Sequence, residues 1–456
     1  MRTRTKLLAT VVTATMVAVT GPSWAATRPA LSWEPCPANG VPVECTKVSV
    51  PVDWSRPGGP VVSLEVARLK ATGKRLGSVL TNPGGPGGSG VGFLAGFANR
   101  FGDQLRRSYD IVSWDPRGVG ASHAVTCPAG ADRELAELPA PGTLAERLRW
   151  ERAATTWAAA CRRQTGPLFD HVDTLSNVRD LDRLRELLGE PRLNYAGFSY
   201  GTRIGLFYAD VFPERVGRLA IDAVVDPTSD NADFYDGASR ALEQAFTDYH
   251  AGCAGRAGCP LADLTAARAR EWLKPLLGGS GELGNDIPNM LRDPAGWPAL
   301  DSLLGRLRAG TWQPSGDEPT FGGESYHSVQ CLDLPDHRTA RQVMADAARA
   351  DARYPLFGRL AAATVVCGQW PVPPTYRPHR ITAGGSGPIL VVGTTHDTAT
   401  PYDWAVDAAR NLRNGRLLTQ RATRHGGYGS SGCVTDAIDR YLVAGTLPPV
   451  GKVCAG

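Results

Sequence analysis

A short serine-containing segment places the strongest constraint on how this chain can fold. Residues Gly197 to Gly201 read Gly-Phe-Ser-Tyr-Gly and lie between the apolar run Leu193–Gly197 and a helix-like stretch, Thr202–Asp210. A turn tight enough to lead directly from a strand into a helix leaves no room for a Cβ at the flanking positions, so glycines are expected there. Such a turn would hold the hydroxyl of Ser199 out at the carboxyl end of a β-sheet.

Apolar, β-branched runs recur along the rest of the chain and predict further strands. They are Val61–Leu69, Gly77–Thr81, Tyr109–Trp114, Leu193–Gly197, Arg218–Ile221, Pro388–Val392 and Arg416–Thr419. Helical patterns separate most of them; in Leu175–Leu188 the leucines and valine mark one face, and Gly189 follows as a stop signal. Strands that alternate with helices predict an α/β fold with a mostly parallel, doubly wound sheet covered on both sides.

The alternation of strands and helices breaks between residues 226 and 375. This stretch contains Ala- and Leu-rich helical pieces, clusters of Gly and Pro, and four cysteines, but no convincing series of strands. We interpret it as an inserted, mainly helical cap over the strand ends. The predicted organisation is therefore a core in two parts, residues 26–225 and 376–456, with the cap, residues 226–375, between them.

A serine hydroxyl becomes a useful nucleophile only when a base removes its proton and an acid holds that base in the right tautomer. In hydrolases built on a sheet of this kind the chain order is Ser, then Asp or Glu, then His. Past the insertion, Asp397 is the first carboxylate at the end of a strand, and His425 lies on a glycine-rich loop after the next strand. We therefore predict a catalytic triad of Ser199, Asp397 and His425. His396 is the alternative base, but the chain order favours His425.

Acyl transfer also requires N–H donors for the oxygen that becomes negative. The predicted donors are the backbone N–H of Tyr200 and that of Gly85, in the segment 82–90, which reads Asn-Pro-Gly-Gly-Pro-Gly-Gly-Ser-Gly. Residues 85–90 also match the G-x-G-x-x-G dinucleotide fingerprint, and Asp115 ends the next strand. Two β-runs precede this segment, whereas the fingerprint follows the first strand of its unit, so a hydrolase is favoured over a dehydrogenase.

The N-terminal sequence predicts export. Arg2, Arg4 and Lys6 precede an apolar run, Leu7–Val19, and small residues lead to a cleavage site after Ala25. The apolar run is too short and too rich in Thr for a membrane span. We expect residues 1–25 to be a secretory signal peptide and the mature protein to have no membrane anchor.

The charge balance gives no support for a nucleic-acid partner. The formal net charge is +4, and it falls to +1 when the three cations of the predicted signal peptide are removed. No basic stripe of the kind that binds a phosphate backbone is therefore expected.

All ten cysteines follow residue 25, and an even number in an exported protein predicts disulfides. The sequence does not decide the connectivity, although spacing favours neighbours in chain order. Those pairs are Cys36–Cys45, Cys127–Cys161, Cys253–Cys259, Cys331–Cys367 and Cys433–Cys454. A zinc site is the alternative, but the chain has no C-x-x-C pair and no H-E-x-x-H motif, so no metal is expected.

These motifs together resemble those of the secreted actinobacterial tripeptidyl and prolyl aminopeptidases, which are α/β hydrolases related to the proline iminopeptidases. The matching segments are residues 82–90, residues 114–122 (Trp-Asp-Pro-Arg-Gly-Val-Gly-Ala-Ser), residues 197–202, the turn from Asp397 to Pro401, and the C-terminal stretch from about 365 to 456. The proline iminopeptidases carry His where this chain has Pro83, so a loop interaction made by that His must be replaced here.

The resemblance implies an α/β-hydrolase fold, the triad and oxyanion donors named above, and a helical cap that narrows the site. It implies a serine exopeptidase that hydrolyses short N-terminal units from peptides and uses no cofactor. A carboxylesterase that uses the same triad is the alternative, because this fold supports many chemistries.

An aminopeptidase must bind a free α-ammonium group, most simply with a carboxylate. Glu324 and Asp226, the latter just past the strand Arg218–Ile221, are the candidates. For each, the alternative is an acid that is merely exposed or that caps a turn. Asp115 and Arg117 are expected to brace loops near the site through an Arg–Asp pairing.

Overall fold

The structure is a computed structural model that describes residues 31–455 apart from 37–39, 139–140, 278–281, 315–322 and 359–364. The predicted signal peptide, residues 1–25, lies outside the described residues.

The strands lie close to the predicted positions. They are β1 (Glu34–Pro35), β2 (Glu44–Pro51), β3 (Val61–Leu69), β4 (Gly77–Asn82), β5 (Tyr109–Trp114), β6 (Leu193–Phe198), β7 (Val216–Asp222), β8 (Ile389–His396), β9 (Gly415–Thr423) and β10 (Val453–Ala455). All seven predicted runs form strands, and β1, β2 and β10 are additional.

The described residues also form α-helices, most of them between the strands. They are α1 (Gly90–Phe97), α2 (Asp103–Ser108), α3 (Arg133–Glu137), α4 (Leu144–Thr165), α5 (Thr174–Leu187), α6 (Tyr200–Val211), α7 (Asn231–Ala251), α8 (Ala266–Leu277), α9 (Glu282–Leu291), α10 (Trp297–Arg308), α11 (Glu324–Asp333), α12 (Ala340–Arg353), α13 (Val365–Gly368), α14 (Tyr402–Asn411) and α15 (Gly432–Ala444). Short 3-10 turns occur at Ala98–Arg100, Gly166–His171, Pro213–Arg215, Cys253–Gly255 and Pro294–Gly296. None of the helices described is long and apolar enough to span a bilayer.

The strands form one mixed sheet in the order β1-β2-β3-β5-β4-β6-β7-β8-β9-β10. The pairs β1–β2, β2–β3 and β3–β5 are antiparallel, and every neighbouring pair from β5 to β10 is parallel. The mostly parallel α/β sheet predicted from the sequence is thus confirmed. The carboxyl ends of β4, β6, β7, β8 and β9 meet at one edge of the sheet, which is where open α/β sheets place their sites.

Helices cover both faces of the sheet. Successive residues of a strand point to opposite faces, so a strand with apolar residues throughout contributes to the packing on both sides. In β4, Leu80 belongs to an apolar cluster with α4, α5 and α6, whereas Val79 belongs to a second cluster with α1, α2 and α15. Both side chains are fully buried. A strand buried on both faces reads as a continuous apolar run, which explains why the parallel strands were visible in the sequence.

The segment between β7 and β8 has two parts with different packing. Apolar side chains of α7 to α10, such as Phe246, Leu273 and Leu303, form a cluster of their own. By contrast, Leu332 of α11 and Val366 of α13 belong to the core cluster under the sheet. Helices α7 to α10 therefore form an outer layer, whereas α11 and α13 pack as part of the core.

The ten cysteines pair in chain order, as their spacing favoured. The disulfides are Cys36–Cys45, Cys127–Cys161, Cys253–Cys259, Cys331–Cys367 and Cys433–Cys454. Two of them hold parts of the chain that bear on the site: Cys331–Cys367 ties α11 to α13, and Cys433–Cys454 ties the start of α15 to β10.

A buried ion pair anchors the loop that follows β5. The guanidinium of Arg117 forms two hydrogen bonds with Asp180 of α5, at 2.6 and 2.7 Å, and both side chains are completely buried. The same guanidinium donates to the carbonyl oxygens of Val52, at 2.7 Å, and Pro51, at 2.9 Å, at the end of β2. The predicted bracing by an Arg–Asp pair is therefore present, and the partner of Arg117 is Asp180.

Removing the acid of this pair should destabilise the fold strongly. Asp180→Ala would leave the Arg117 charge buried without its partner, which typically costs about 3–5 kcal/mol. The exposed pair Arg162–Asp170, at 2.6 Å, provides the control, because Asp170→Ala should cost less than about 1 kcal/mol. Urea unfolding measures both free energies, and equal losses for the two variants would contradict the expectation.

Candidate active site

Ser199 occupies a strained turn between β6 and α6. Its backbone has φ 53° and ψ −126°, a conformation that side-chain-bearing residues rarely adopt. A Cβ at Gly197 would lie 2.5 Å from the carbonyl oxygen of Gly201, and a Cβ at Gly201 would collide with the carbonyl oxygen of Asn82. The two glycines are therefore required by close backbone approach, as the motif predicted.

Asp397 and His425 form a hydrogen-bonded pair at the same edge of the sheet. The distance from His425 Nδ1 to Asp397 Oδ1 is 2.8 Å. The other oxygen of Asp397 accepts the N–H of Gly426 at 3.0 Å, and Oδ1 also accepts the N–H of Thr400 at 2.8 Å and that of Ala399 at 3.0 Å. A ring that donates through Nδ1 keeps Nε2 as its acceptor, which is the tautomer that a general base needs.

The surroundings of Asp397 favour its charged form. Burial alone would raise the pKa of Asp397, but the adjacent imidazole of His425 and the backbone N–H groups of Thr400 and Ala399 hold it below the ordinary value. The Asp397 side chain is completely buried, whereas that of His425 retains 21% of its exposure. Asp397 is thus an ionised, buried carboxylate behind a partly accessible imidazole.

Asp222, which our sequence interpretation did not single out, joins Ser199 to the loop that carries His425. Its main-chain carbonyl accepts the N–H of Ser199 at 3.0 Å. Its carboxylate Oδ2 accepts the N–H groups of Gly427 and Tyr428, both at 2.8 Å. Asp222 ends β7, so its position at the carboxyl edge of a strand was the available signal.

His396, the alternative base, has a different partner. Its Nδ1 lies 2.7 Å from Asp248 Oδ2 on α7, and the hydroxyl of Thr423 donates to the same oxygen at 2.7 Å. His396 therefore links the end of β8 to the outer helical layer.

The glycine-rich loop after β4 lies against the serine turn. A Cβ at Gly84, where φ is +90°, would lie 2.5 Å from the backbone nitrogen of Tyr200. The N–H of Gly84 itself donates to Asn82 Oδ1 at 2.9 Å. Gly85 is therefore the next residue of this loop whose N–H could donate to an oxyanion. The structure thus brings the segment of Gly85 next to the N–H of Tyr200.

Asp115 braces this glycine-rich loop from behind. Its Oδ1 accepts the hydroxyl of Ser89 at 2.6 Å and the N–H of Val91 at 3.1 Å, and its Oδ2 accepts the N–H of Ala121 at 2.9 Å. Because the carboxylate is 3% exposed and engaged by the loop itself, it is not free to bind a ribose hydroxyl. This observation disfavours the dinucleotide-binding alternative for residues 85–90.

Helix α11 contacts the site at both of its ends. At its start, the hydroxyl of Ser325 donates to the carbonyl of Gly118 at 2.6 Å, and a Cβ at Gly87 would lie 2.9 Å from the nitrogen of Tyr326. At its end, Asp333 accepts a hydrogen bond from the hydroxyl of Tyr200. Helix α11 thereby contacts both the glycine-rich loop and the residue after Ser199.

The two candidate ammonium ligands have different surroundings. Glu324 is the first residue of α11, partly exposed, and its carboxylate has no hydrogen-bond or ion-pair partner within the described part of the chain. Asp226 instead accepts the N–H of Thr228 at 2.9 Å and its hydroxyl at 2.8 Å, which is the pattern of a turn-capping acid. Within the residues described, no group of three or more His, Cys, Asp and Glu side chains is arranged to hold a metal ion.

The chain is similar to several known hydrolases. The family model described as TAP-like protein matches residues 354–454. The chain is 33% identical to the serine protease Hip1 of Mycobacterium tuberculosis, over 93% of this chain and 91% of that protein. It is 31% identical to the tripeptidyl aminopeptidase of Streptomyces lividans, over 94% and 87%. It is 33% identical to a protein of M. tuberculosis named carboxylesterase B, over 90% and 86%.

A methyl group on the glycine-rich loop should impair the site without broad loss of structure. Gly84→Ala would push a Cβ into the Tyr200 nitrogen and force an alanine to φ +90°, so the loop must shift. Loss of one oxyanion donor lowers kcat by about 10²–10³-fold, and we expect a loss of that order in ester or amide hydrolysis.

Gly96→Ala is the matched control for this prediction. Gly96 lies on α1, and a Cβ there would meet nothing within 4 Å. Alanine in a helix should leave hydrolysis unchanged and raise the melting temperature slightly. If Gly84→Ala hydrolysed substrate as fast as Gly96→Ala, our inference that this loop lies close to the reacting carbonyl group would be wrong.

Proposed function

The chain belongs to the family of α/β hydrolases that includes the mycobacterial Hip1 proteins and the Streptomyces tripeptidyl aminopeptidases, and from this premise we propose that it is a secreted serine exopeptidase. In this proposal it hydrolyses short N-terminal units, tripeptidyl or prolyl in type, from peptides through an acyl-enzyme. The five disulfides support an extracellular location, and cleavage of a signal peptide near Ala25 completes that part of the proposal.

One observation carries the proposed chemistry. The ionised Asp397 holds His425 by a 2.8 Å hydrogen bond, and Asp222 joins the His425 loop to the backbone of Ser199. The proposed nucleophile follows β6 and the proposed acid follows β8, so both flank Asp222 at the end of β7, and the proposed base lies on the loop after β9.

The proposed cycle uses only these groups and water. The Ser199 hydroxyl attacks the scissile carbonyl while His425 takes its proton, and Asp397 stabilises the imidazolium. The N–H groups of Tyr200 and Gly85 stabilise the resulting oxyanion. His425 then gives the proton to the leaving amine, the C–N bond breaks, and the acyl-enzyme remains. Water, deprotonated by His425, attacks the ester and releases the acyl unit and Ser199.

Glu324 is the better candidate for the substrate ammonium group. It begins the helix whose next residues contact the glycine-rich loop, and its carboxylate has no partner within the described residues. Asp226 already accepts a hydrogen bond from the hydroxyl of Thr228 within its own turn. A carboxylate that is desolvated when substrate binds would form a charge-assisted hydrogen bond with an ammonium and so select a free N-terminus.

A carboxylesterase remains the second candidate. The specific observation in its favour is the 33% identity to the relative named carboxylesterase B, equal to the identity with Hip1. An ester hydrolase would need the same triad and oxyanion donors but no ligand for an ammonium group.

Replacement of the nucleophile tests both candidates at once. A fluorophosphonate probe should label Ser199 covalently, and Ser199→Ala should lose the label and about 10⁴-fold or more of its activity, because the reacting oxygen is gone. Ser122→Ala is the control, because Ser122 is a buried serine that bonds the N–H of Glu65 at 2.7 Å. Retention of both label and activity in Ser199→Ala would end the serine-hydrolase assignment.

A panel of substrates separates the peptidase from the esterase. We expect chromogenic tripeptide amides with a free amine to react at least about tenfold faster than N-acetylated ones, since about 1.4 kcal/mol of ammonium binding suffices for that ratio. Glu324→Gln should remove this preference by raising KM for the free-amine substrates alone. Loss of the preference in Asp226→Asn instead would move the role to Asp226. Hydrolysis of esters only, or equal rates on both classes of amide, would favour the carboxylesterase.

A further inference from the structure

Asp222 has contacts that the proposed cycle does not use. It is the last residue of β7, between the strand that precedes Ser199 and the strand that precedes Asp397. Its main chain holds the N–H of Ser199 at 3.0 Å, and its side chain holds the N–H groups of the two residues that follow Gly426, each at 2.8 Å. One residue thus fixes the distance between the backbone of the nucleophile and the loop of the base.

The second carboxylate oxygen of Asp222 is buried and unpaired. Asp222 is 1% exposed, and its Oδ1 has no hydrogen-bond partner within the described residues. The charged groups that face the carboxylate are Asp397, after β8, and His425, after β9. The first repels a negative charge on Asp222, and the second attracts it when the imidazole is protonated.

We propose that Asp222 is a positioning residue whose negative charge and paired backbone hydrogen bonds hold the His425 loop in register with Ser199 and stabilise the imidazolium formed during catalysis. This inference rests on the proposed serine-hydrolase function. Asp222 touches no reacting atom in the cycle; it acts through the loop and through the electrostatic potential at His425.

The proposal predicts an effect of pH. Burial raises the pKa of Asp222 to about 6, against the opposing effect of the Gly427 and Tyr428 N–H groups. Below that pH the carboxyl is neutral, the two hydrogen bonds weaken and the charge near His425 is lost; above it, both are present. The acid limb of kcat/KM should therefore depend on two protons, one on the base and one on Asp222.

The raised pKa of Asp222 also predicts how this residue affects the free energy of unfolding. A carboxyl whose folded-state pKa lies above its unfolded value of 3.8 binds its proton more tightly when folded, so ionisation lowers stability as pH rises from about 4 to 6. At pH 8 the ionised Asp222 is thus unfavourable for folding. An uncharged side chain of the same shape should leave the melting temperature at pH 8 unchanged or raised, while activity falls.

Asp222→Asn and Asp222→Ala test the proposal in the full-length secreted protein. For Asp222→Asn we expect about a tenfold lower kcat at pH 8, KM within about twofold of wild type, and an acid limb that depends on one proton. Asp222→Ala also loses the acceptor of the two N–H groups, and a displaced base loop should lower kcat by about 100-fold. The control is Asp173→Asn, which removes the charge of another buried acid, one that caps α5 through Ser176 at 2.9 Å.

Hydrogen exchange provides a measurement that does not depend on activity. In Asp222→Ala, amide exchange should accelerate at least about tenfold in the peptide spanning residues 424–430, and it should stay unchanged there in Asp173→Asn. Unchanged exchange in that peptide of Asp222→Ala would overturn the proposal, whether or not the protein is active. Failure of the wild-type protein to cleave any test substrate would instead count against the proposed function. A wild-type kcat and acid limb in Asp222→Asn, or a lower melting temperature with normal activity per folded molecule, would also overturn it.

Discussion

The strained backbone of Ser199 is the constraint around which the site is organised. Holding a residue with a side chain in this region of φ and ψ costs about 1–3 kcal/mol of conformational free energy, so contacts with the surrounding structure must keep Ser199 there. The Ser199 N–H is bound by the Asp222 carbonyl, and its own carbonyl accepts the hydroxyl of Thr202 at 2.6 Å. Glycines on either side let β6, α6 and the loop after β4 approach to backbone contact. The strain at Ser199 and the close approach of the glycine-rich loop to the N–H of Tyr200 thus have the same origin.

Three buried carboxylates organise the loops at this edge of the sheet. Strand ends leave backbone N–H groups without a ladder partner, and such groups must be satisfied when buried. Asp115 accepts those of Val91 at the start of α1 and of Ala121 in the loop after β5. Asp222 accepts two from the loop after β9, and Asp397 accepts two from the turn after β8 and one from the loop after β9. The pKa values of Asp397 and Asp222 nevertheless shift in opposite directions. The adjacent imidazole of His425 and two backbone N–H groups outweigh burial at Asp397, whereas burial outweighs the two backbone N–H groups at Asp222.

Seven of the ten strands in the described residues were predicted from the sequence, and the three that were missed, β1, β2 and β10, lie at the two ends of the sheet. Val61–Leu69 and Tyr109–Trp114 matched the structure to the residue. In β2, polar residues alternate with Val48 and Val50, and this run was not predicted. Local motifs and chain order predicted Ser199, Asp397 and His425 as the candidate nucleophile, acid and base. The contacts that hold them were not predicted, because these contacts join distant positions in the chain. Asp222 contacts a loop 205 residues later, and the hydroxyl of Tyr200 donates to Asp333, which is 133 residues away. Such contacts follow from the order of the strands, which no local pattern encodes.

The helices between β7 and β8 pack in two layers. Helix α11 packs into the core, contacts the glycine-rich loop at its start and Tyr200 at its end, and is tied to α13 by the Cys331–Cys367 disulfide. Helices α7 to α10 have their own apolar cluster. Just after α9, the carbonyl of Arg292 accepts the N–H of His425 at 3.2 Å and the hydroxyl of Thr398 at 2.9 Å, and it so joins this layer to the loops that follow β8 and β9. The relatives named serine protease Hip1 and carboxylesterase B are each 33% identical to this chain, so identity alone does not decide between the two activities, because one fold supports many chemistries.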